Sequence, residues 1–314
     1  MAVYTRVERD ELAAFLGDYS LGSPLALEGI ADGIENSNYW LTTTEGEYVL
    51  TVFERVEPAD VDYFLDLMAY LAEHAIPCPA PMANRAGERY GQLQGRPAAV
   101  CARLPGIPVE TPEPPHCAAV GRTLGRWHRV GADFDRHRDN PRGLHWWREL
   151  GQRVRPRLEA DAATLLDAEL HFQSLFRLND LPRGPVHADL FRDNVLFEGD
   201  ELTGLLDCYD ACDDVLLYDL AIAANDWCVQ ADGSLDEHRL AALTGAYHGE
   251  RPISAIERGA WPALLRAAAL RFWVSRLHDA EFPRSGSLTQ TKDPAVFQRI
   301  LEQRAAKREP LPLN

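Results

Sequence analysis

The apolar pattern of this chain changes period near Leu104, and that change limits the possible folds more than any other feature. Upstream of it, Leu25 to Ile30, Asn38 to Thr44, Tyr48 to Phe53, Gln92-Leu93 and Ala98 to Leu104 are short apolar or alternating runs of the kind that form strands. Glu45-Gly46, between the second and third runs, suits a tight hairpin. One helix is predicted near Glu8 to Leu16. A second is predicted over Asp60 to His74, where Val61, Phe64, Leu65, Met68 and Leu71 recur at helical spacing until Pro77, Pro79 and Pro81 force an extended connection. Downstream the pattern is helical: Cys117 to Val130, His145 to Arg157, Ala160 to Leu178, Asp236 to His248 and Ala255 to Leu277. Only Val195 to Phe197 and Leu202 to Leu206 read as strands there, on either side of the turn Glu198-Gly199-Asp200. The expected fold is therefore α+β and bilobal. A small β-rich N-terminal lobe with one main helix spans 1–103, and a larger, mostly helical C-terminal lobe spans 104–314, with a hinge near Cys101 to Gly106.

Composition narrows the function classes. A length of 314 residues suits two domains or one bilobal unit. The formal net charge of −16 argues against a nucleic-acid partner, whose binding draws on Lys and Arg neutralising phosphates. It leaves room for a nucleotide, provided a metal offsets the triphosphate. Six cysteines, at 78, 101, 117, 208, 212 and 228, form no C-x-x-C pair and read as reduced thiols of a cytoplasmic protein. Met1 to Asp10 is charged and carries no apolar signal-peptide core, and no stretch is long and apolar enough for a membrane span. A soluble, intracellular protein acting on a small molecule is expected, with no membrane partner; oligomeric state is not legible.

The segment from His187 to Asn194 has the form H-x-D-x-x-x-x-N. Phosphoryl transfer asks little covalent work of a protein: a carboxylate to orient the attacking hydroxyl and take its proton, and oxygen ligands to hold a divalent cation on the phosphates. Asp189 fits the first role. Asn194 offers an amide oxygen suited to a hard cation, and Asp207, after the strand Leu202 to Leu206, would return to it across a hairpin. An isolated H-x-D also occurs by chance, and a lone Asp in a loop is often a turn former. The three together, with a strand pair in register, make the functional reading the sharper one. His187 suits a brace of the loop better than a base.

The segments GIENSNYWLTTTEGEYVLTVFE (33–54), LPG (104–106), NPRGLHWW (140–147), HADLFRDNVLF (187–197), YDACDDVLLYDLAI (209–222), RAAALRFWVSRLHD (266–279) and KDP (292–294) resemble the aminoglycoside-phosphotransferase-like kinases, which have a protein-kinase-like fold. Within them the similarity is to the homoserine kinases of that type, and it covers essentially the whole chain. The resemblance implies transfer of the ATP γ-phosphate to the hydroxyl of L-homoserine, with Mg2+ as the metal. It implies Asp189 as catalytic base, Asn194 and Asp207 as magnesium ligands, and Asp219 as a structural buttress of the catalytic loop. Arg192 departs from the family, where Pro stands between the equivalents of Phe191 and Asp193.

Two binding questions stay open at this level. Kinases place a phosphate-clamping lysine on the third small-lobe strand. Here that position is Thr51, and the only lysines are Lys292 and Lys307. Gly33, Asn36, Ser37 and Asn38 offer a phosphate-binding loop together with Thr51, although a plain turn fits Gly29 to Asn38 equally well. For the amino-acid substrate, Arg271 and Arg276 on the helix Ala255 to Leu277 are candidate carboxylate partners, with Trp273 between them. Arg266 is a further cation on that helix, and residues facing away are expected to be solvated. Asp210 is a candidate for the ammonium, with Asp213 and Asp214 as alternatives; a solvated acidic turn is the competing reading. Another small hydroxylated substrate (an aminoglycoside, choline or hydroxylysine), a nucleotide-binding pseudokinase and a metal-dependent hydrolase remain the alternatives.

Overall fold

The computed structural model describes residues 5–30, 36–176, 178, 180–282 and 292–313. These form two compact units, one running to Pro105 and the other starting at Gly106. In the first unit, helix α1 (Arg9–Leu16) precedes three strands, β1 (Pro24–Gly29), β2 (Ser37–Thr43) and β3 (Gly46–Val52). Helix α2 (Pro58–Glu73) buries the five apolar positions that its spacing marked, and β4 (Gly91–Leu93) and β5 (Arg96–Ala102) complete an antiparallel sheet of order β1-β2-β3-β5-β4. Period-two burial along β2 puts Tyr39 and Leu41 into a core with Leu12, Phe15, Leu50, Val52 and Val100.

The second unit opens with β6 (Ile107–Pro108) and the helices α3 (Pro114–Gly131), α4 (Leu144–Val154) and α5 (Ala160–Ser174). The predicted helix to Arg157 stops at Val154 because Pro156 follows, and 155–157 close as a 3₁₀ turn. Next come β7 (Arg183–Val186), β8 (Val195–Glu198), β9 (Glu201–Leu205) and β10 (Cys212–Val215), then α6 (Leu216–Trp227), α7 (Glu237–Glu250), α8 (Ala255–Glu281) and α9 (Pro294–Ala306). Strands β6, β8 and β9 form one small sheet and β7 pairs with β10 in another.

Sequence periodicity left out β6, β7, β10, α6 and α9. Helix α6 is buried from Leu216 to Asn225 on every side, so it has no amphipathic period to read. Strand β7 carries Pro185, which argues against a strand when only local rules are applied. For α9 the signal was there: Phe297, Ile300, Leu301 and Arg304 share its buried face. Helix α8 starts on a capping box in which Ser254 and Glu257 satisfy each other's backbone N–H, which fixes where its long run of core positions begins. All six cysteines are buried free thiols, and among the described residues no helix is long and apolar enough to cross a membrane.

Candidate active site

The loop 187–194 is held in shape from three directions. Asp219, in the first turn of α6, is fully buried and accepts the backbone N–H of His187 (2.7 Å) and of Ala188 (2.9 Å) on its two oxygens. Ala188 lies in the left-handed region at φ +65°, a strained position for a residue with a Cβ, and these bonds fix it there. His187 is fully buried; its Nε2 meets the Leu206 carbonyl (2.9 Å) and its Nδ1 accepts the N–H of Asp189 (3.2 Å). Burial holds its pKa below the usual histidine value, so the ring is a neutral brace rather than a proton carrier. The Trp227 indole adds a bond to the Leu190 carbonyl (3.0 Å).

A buried polar chain stands behind Asp219. His128, on α3, donates from Nε2 to Asp219 (3.1 Å), and its Nδ1 faces the Tyr247 hydroxyl (2.7 Å). Arg251 donates to that hydroxyl (3.2 Å) and pairs with buried Glu257 (2.8 Å). Burial would raise the Asp219 pKa, yet the hydrogen bonds from His128 and the His187 backbone bring it below the ordinary aspartate value. The His128 pKa is depressed by its own burial. Asp219 is thus the ionised partner and His128 the neutral one, because the carboxylate alone collects several N–H donors. Sequence reading offered no sign of His128, since its partners Asp219 and Tyr247 lie on two other helices, α6 and α7.

Asp189 is half-buried on the open side of this loop. Asn194 donates its amide nitrogen to the Asp189 backbone oxygen (2.8 Å) and carboxylate (3.2 Å). The β8–β9 hairpin then returns the chain: Leu206 donates its N–H to the Asn194 carbonyl (2.8 Å), so Asp207 follows beside Asn194. Asp207 is left-handed, at φ +56°. Burial first, and the Asp210 carboxylate second, raise the Asp189 pKa to about 7, against the pull of Arg271, Lys292 and Arg142. Among the described residues no three His, Cys, Asp or Glu side chains gather as a self-sufficient metal site.

The acidic run after Asp207 is not a solvated turn. Asp210 takes a short contact from Arg142 and pairs with Arg271 (3.3 Å). Asp213 accepts the Arg138 N–H (3.0 Å), while Asp214 binds Asn140 (2.6 Å) and Arg183 (3.0 Å), tying 138–142 to β10. Arg142 was missed in the sequence because nothing local links it to Asp210.

Arg271 is buried, and its guanidinium is engaged by Asp210 and, in a second short contact, by the Ala188 carbonyl. It props the 187–194 loop from within. Trp273 is not brought to this group at all; it is fully buried in the helical core, because two residues turn the α8 surface by roughly 200°. Arg266 is not solvated either: it pairs with fully buried Glu169 (2.5 Å) and stacks on Phe172. Arg276 lines a pocket of about 420 Å³ with Phe191, Asp226, Lys292 and Phe297. Arg192, where Pro was expected, donates its backbone N–H to Asp226 (2.8 Å) and its guanidinium to Asp226 and the Glu110 carbonyl. Side-chain pairing supplies the stiffness that a proline ring would give.

In the first unit the phosphate-loop candidates behave unequally. Gly33 lies outside the described residues. Ser37 is fully buried, donating to Glu54 (2.5 Å) and accepting the Thr5 N–H (3.0 Å), which removes its hydroxyl from the phosphate-binding set. Thr51 is buried on β3 and donates to Asn38 (2.8 Å), its cross-strand neighbour on β2. Asn36 is buried with its side-chain oxygen unpartnered.

The chain matches the model of a family described as "Phosphotransferase enzyme family" over residues 26–253. It is 50% identical to a homoserine kinase of Methylobacillus flagellatus over 309 residues, 98% of this chain and 97% of that one. It is 46% identical to a homoserine kinase of Cupriavidus metallidurans, covering 99% of each. Among solved structures, an amicoumacin kinase in complex with AMP-PNP, Ca2+ and Ami superposes with a TM-score of 0.71 at 18% identity, over 98% of this chain and 96% of that one. A spectinomycin phosphotransferase superposes with a TM-score of 0.65 at 13% identity, over 95% of each. Both share the α+β, kinase-like fold described above.

Proposed function

The chain belongs to the phosphotransferase enzyme family, and on that premise we propose that it is a homoserine kinase, moving the γ-phosphate of ATP to the hydroxyl of L-homoserine to give O-phospho-L-homoserine and ADP. Full-length identity of 50% to a homoserine kinase carries the substrate, and the loop around Asp189 supports the chemistry. We assign nucleotide binding to 1–103 and the catalytic and substrate groups to 104–314.

Asp189 accepts the proton of the attacking hydroxyl. With its pKa raised to about 7, the carboxyl is partly ionised at neutral pH and still basic enough to take that proton. The Asn194 bond to its carboxylate, and the backbone clamp from Asp219, keep it from rotating away. The residues present fit a divalent cation: Asn194 uses its amide nitrogen on Asp189, so its oxygen is the atom left to face a metal, and Asp207 stands next to it in a strained conformation. Asn194 and Asp207 would hold Mg2+, which supplies charge neutralisation on the β- and γ-phosphates. Six buried thiols suit a reducing compartment such as the cytoplasm.

The test is ADP release in a coupled assay with ATP and Mg2+, on a panel of L-homoserine, choline, hydroxylysine, kanamycin and ribose. Turnover with L-homoserine far above the rest is expected. Preference for another panel member, or silence with all five, would overturn the substrate assignment.

A further inference from the structure

The α-carboxylate of the substrate needs a cation that is not already committed. Arg271 and Arg142 share Asp210, and Arg266 is matched by Glu169. Arg276 is different. It is half-buried, stacks on Phe297 (4.4 Å) and donates to the Asp293 carbonyl (3.3 Å), and no carboxylate among the described residues pairs with it. A half-buried guanidinium that no carboxylate touches keeps N–H donors free for a direct, charge-assisted bond to an incoming anion. Burial holds the Arg276 pKa below the usual arginine value even though Asp226, Asp189, Asp193 and Asp293 act on it electrostatically.

The pocket beside it has the other features an amino acid needs. Lys292 lines the same cavity and holds Asp193 at 2.6 Å, with the two side chains 47% and 56% exposed. Such a water-exposed pair gives little net stabilisation, so exchanging it costs little. A zwitterion entering there trades partners in kind: its carboxylate replaces Asp193 on Lys292, and its ammonium replaces Lys292 on Asp193. The Phe191 and Phe297 rings give the methylenes an apolar wall. The position relative to the chemistry agrees. Phe191 and Asp193 belong to the catalytic loop, and both Arg276 and Lys292 are within electrostatic reach of Asp189. In extended homoserine the hydroxyl and carboxylate are roughly 5 Å apart, which suits one molecule touching both.

We propose that this pocket, between the loop 191–193 and helices α8 and α9, receives the α-amino-acid end of the substrate, with Arg276 and Lys292 on the carboxylate and Asp193 on the ammonium. The assignment rests on the homoserine kinase reading and makes Arg276 and Lys292 the residues that demand a carboxylate.

The test compares L-homoserine with 2-amino-1,4-butanediol, in which the carboxylate is replaced by a hydroxymethyl group, for the unaltered protein, Arg276→Gln and Lys292→Ala. In Arg276→Gln the KM for L-homoserine should rise roughly 10- to 100-fold while the KM values for ATP and for the diol stay put, so the preference for the acid collapses. Lys292→Ala, at an exposed position that tolerates truncation, should give a smaller rise of the same kind. A homoserine KM within about twofold of the unaltered value in both variants, or equal rises for acid and diol, would overturn the pocket assignment and leave the activity standing. No turnover of L-homoserine by the unaltered protein would instead remove the proposed function itself.

Discussion

With Asp189 as the proposed base, the same raised pKa has opposite consequences for turnover and for stability. An aspartate in an unfolded chain titrates near about 3.9, whereas here the group is raised to about 7 by burial and by Asp210. Between those values the folded state holds the proton more tightly than the unfolded one, so each step up in pH through this window removes stability. Asp189→Asn should therefore lower kcat by about 10²–10⁴-fold without weakening ATP binding, and it should also raise Tm more at about pH 8 than at about pH 5, where only about a third of the penalty has built up. Melting curves at the two pH values check the second half; an equal shift at both would mean that Asp189 is not ionised against its surroundings. Arg271 is the contrasting case, since its charge is used internally on Asp210 and the Ala188 carbonyl. Arg271→Ala should reduce Tm and kcat together, toward the lower end of the ~3–5 kcal/mol for a broken buried pair because Arg142 still serves Asp210. A pure rise in homoserine KM with normal Tm would instead put Arg271 on the substrate.

Helix α3 sets His128 behind Asp219, and its distance from α7 decides whether Tyr247 reaches that histidine. The close approach is made by glycine. A Cβ at Gly121 would sit 2.0 Å from the Leu243 carbonyl oxygen, and one at Gly125 would sit 3.0 Å from the Tyr247 carbonyl oxygen. Backbone atoms cannot swing aside as a side-chain tip can, so Gly121→Ala must push the two helices apart. We expect a loss of about 1–3 kcal/mol, read as a Tm lowered by several degrees, with a fall in kcat because the Asp219 support loosens. An unchanged Tm and kcat would mean that α3 and α7 are not packed this closely.

The protein as a whole has a formal net charge of −16, and ATP is itself a polyanion. Bringing the two together needs a cation for the phosphates, since the small-unit strand offers Thr51 rather than lysine. ATP with Mg2+ should therefore raise Tm, by about 2.7 kcal/mol of stability at a hundredfold excess over Kd, and ATP with a chelator should raise it far less. Thermal-shift curves with and without chelator check this, and equal shifts would show that protein groups alone hold the phosphates.

Two kinds of information separate cleanly in this chain. Fold class and the loop that carries the candidate site were readable because they are written locally. Period-two and helical runs name strands and helices one at a time, and His187, Asp189 and Asn194 fall in one eight-residue stretch whose spacing can be read directly. Elements without such a local rule were missed: α6 is buried all round from Leu216 to Asn225, and β7 contains a proline. What folding decided is how distant charges pair. Whether Asp210 faces an ammonium or two arginines depends on Arg142 and Arg271, which lie 68 and 61 residues away. That His128 supports Asp219, that Trp273 points into the core while Arg276 lines a pocket, and that Ser37 is consumed by Glu54 are likewise set by which faces meet in space. Long-range pairing has no period along the chain, because its energy depends on separation and burial in three dimensions rather than on spacing in sequence.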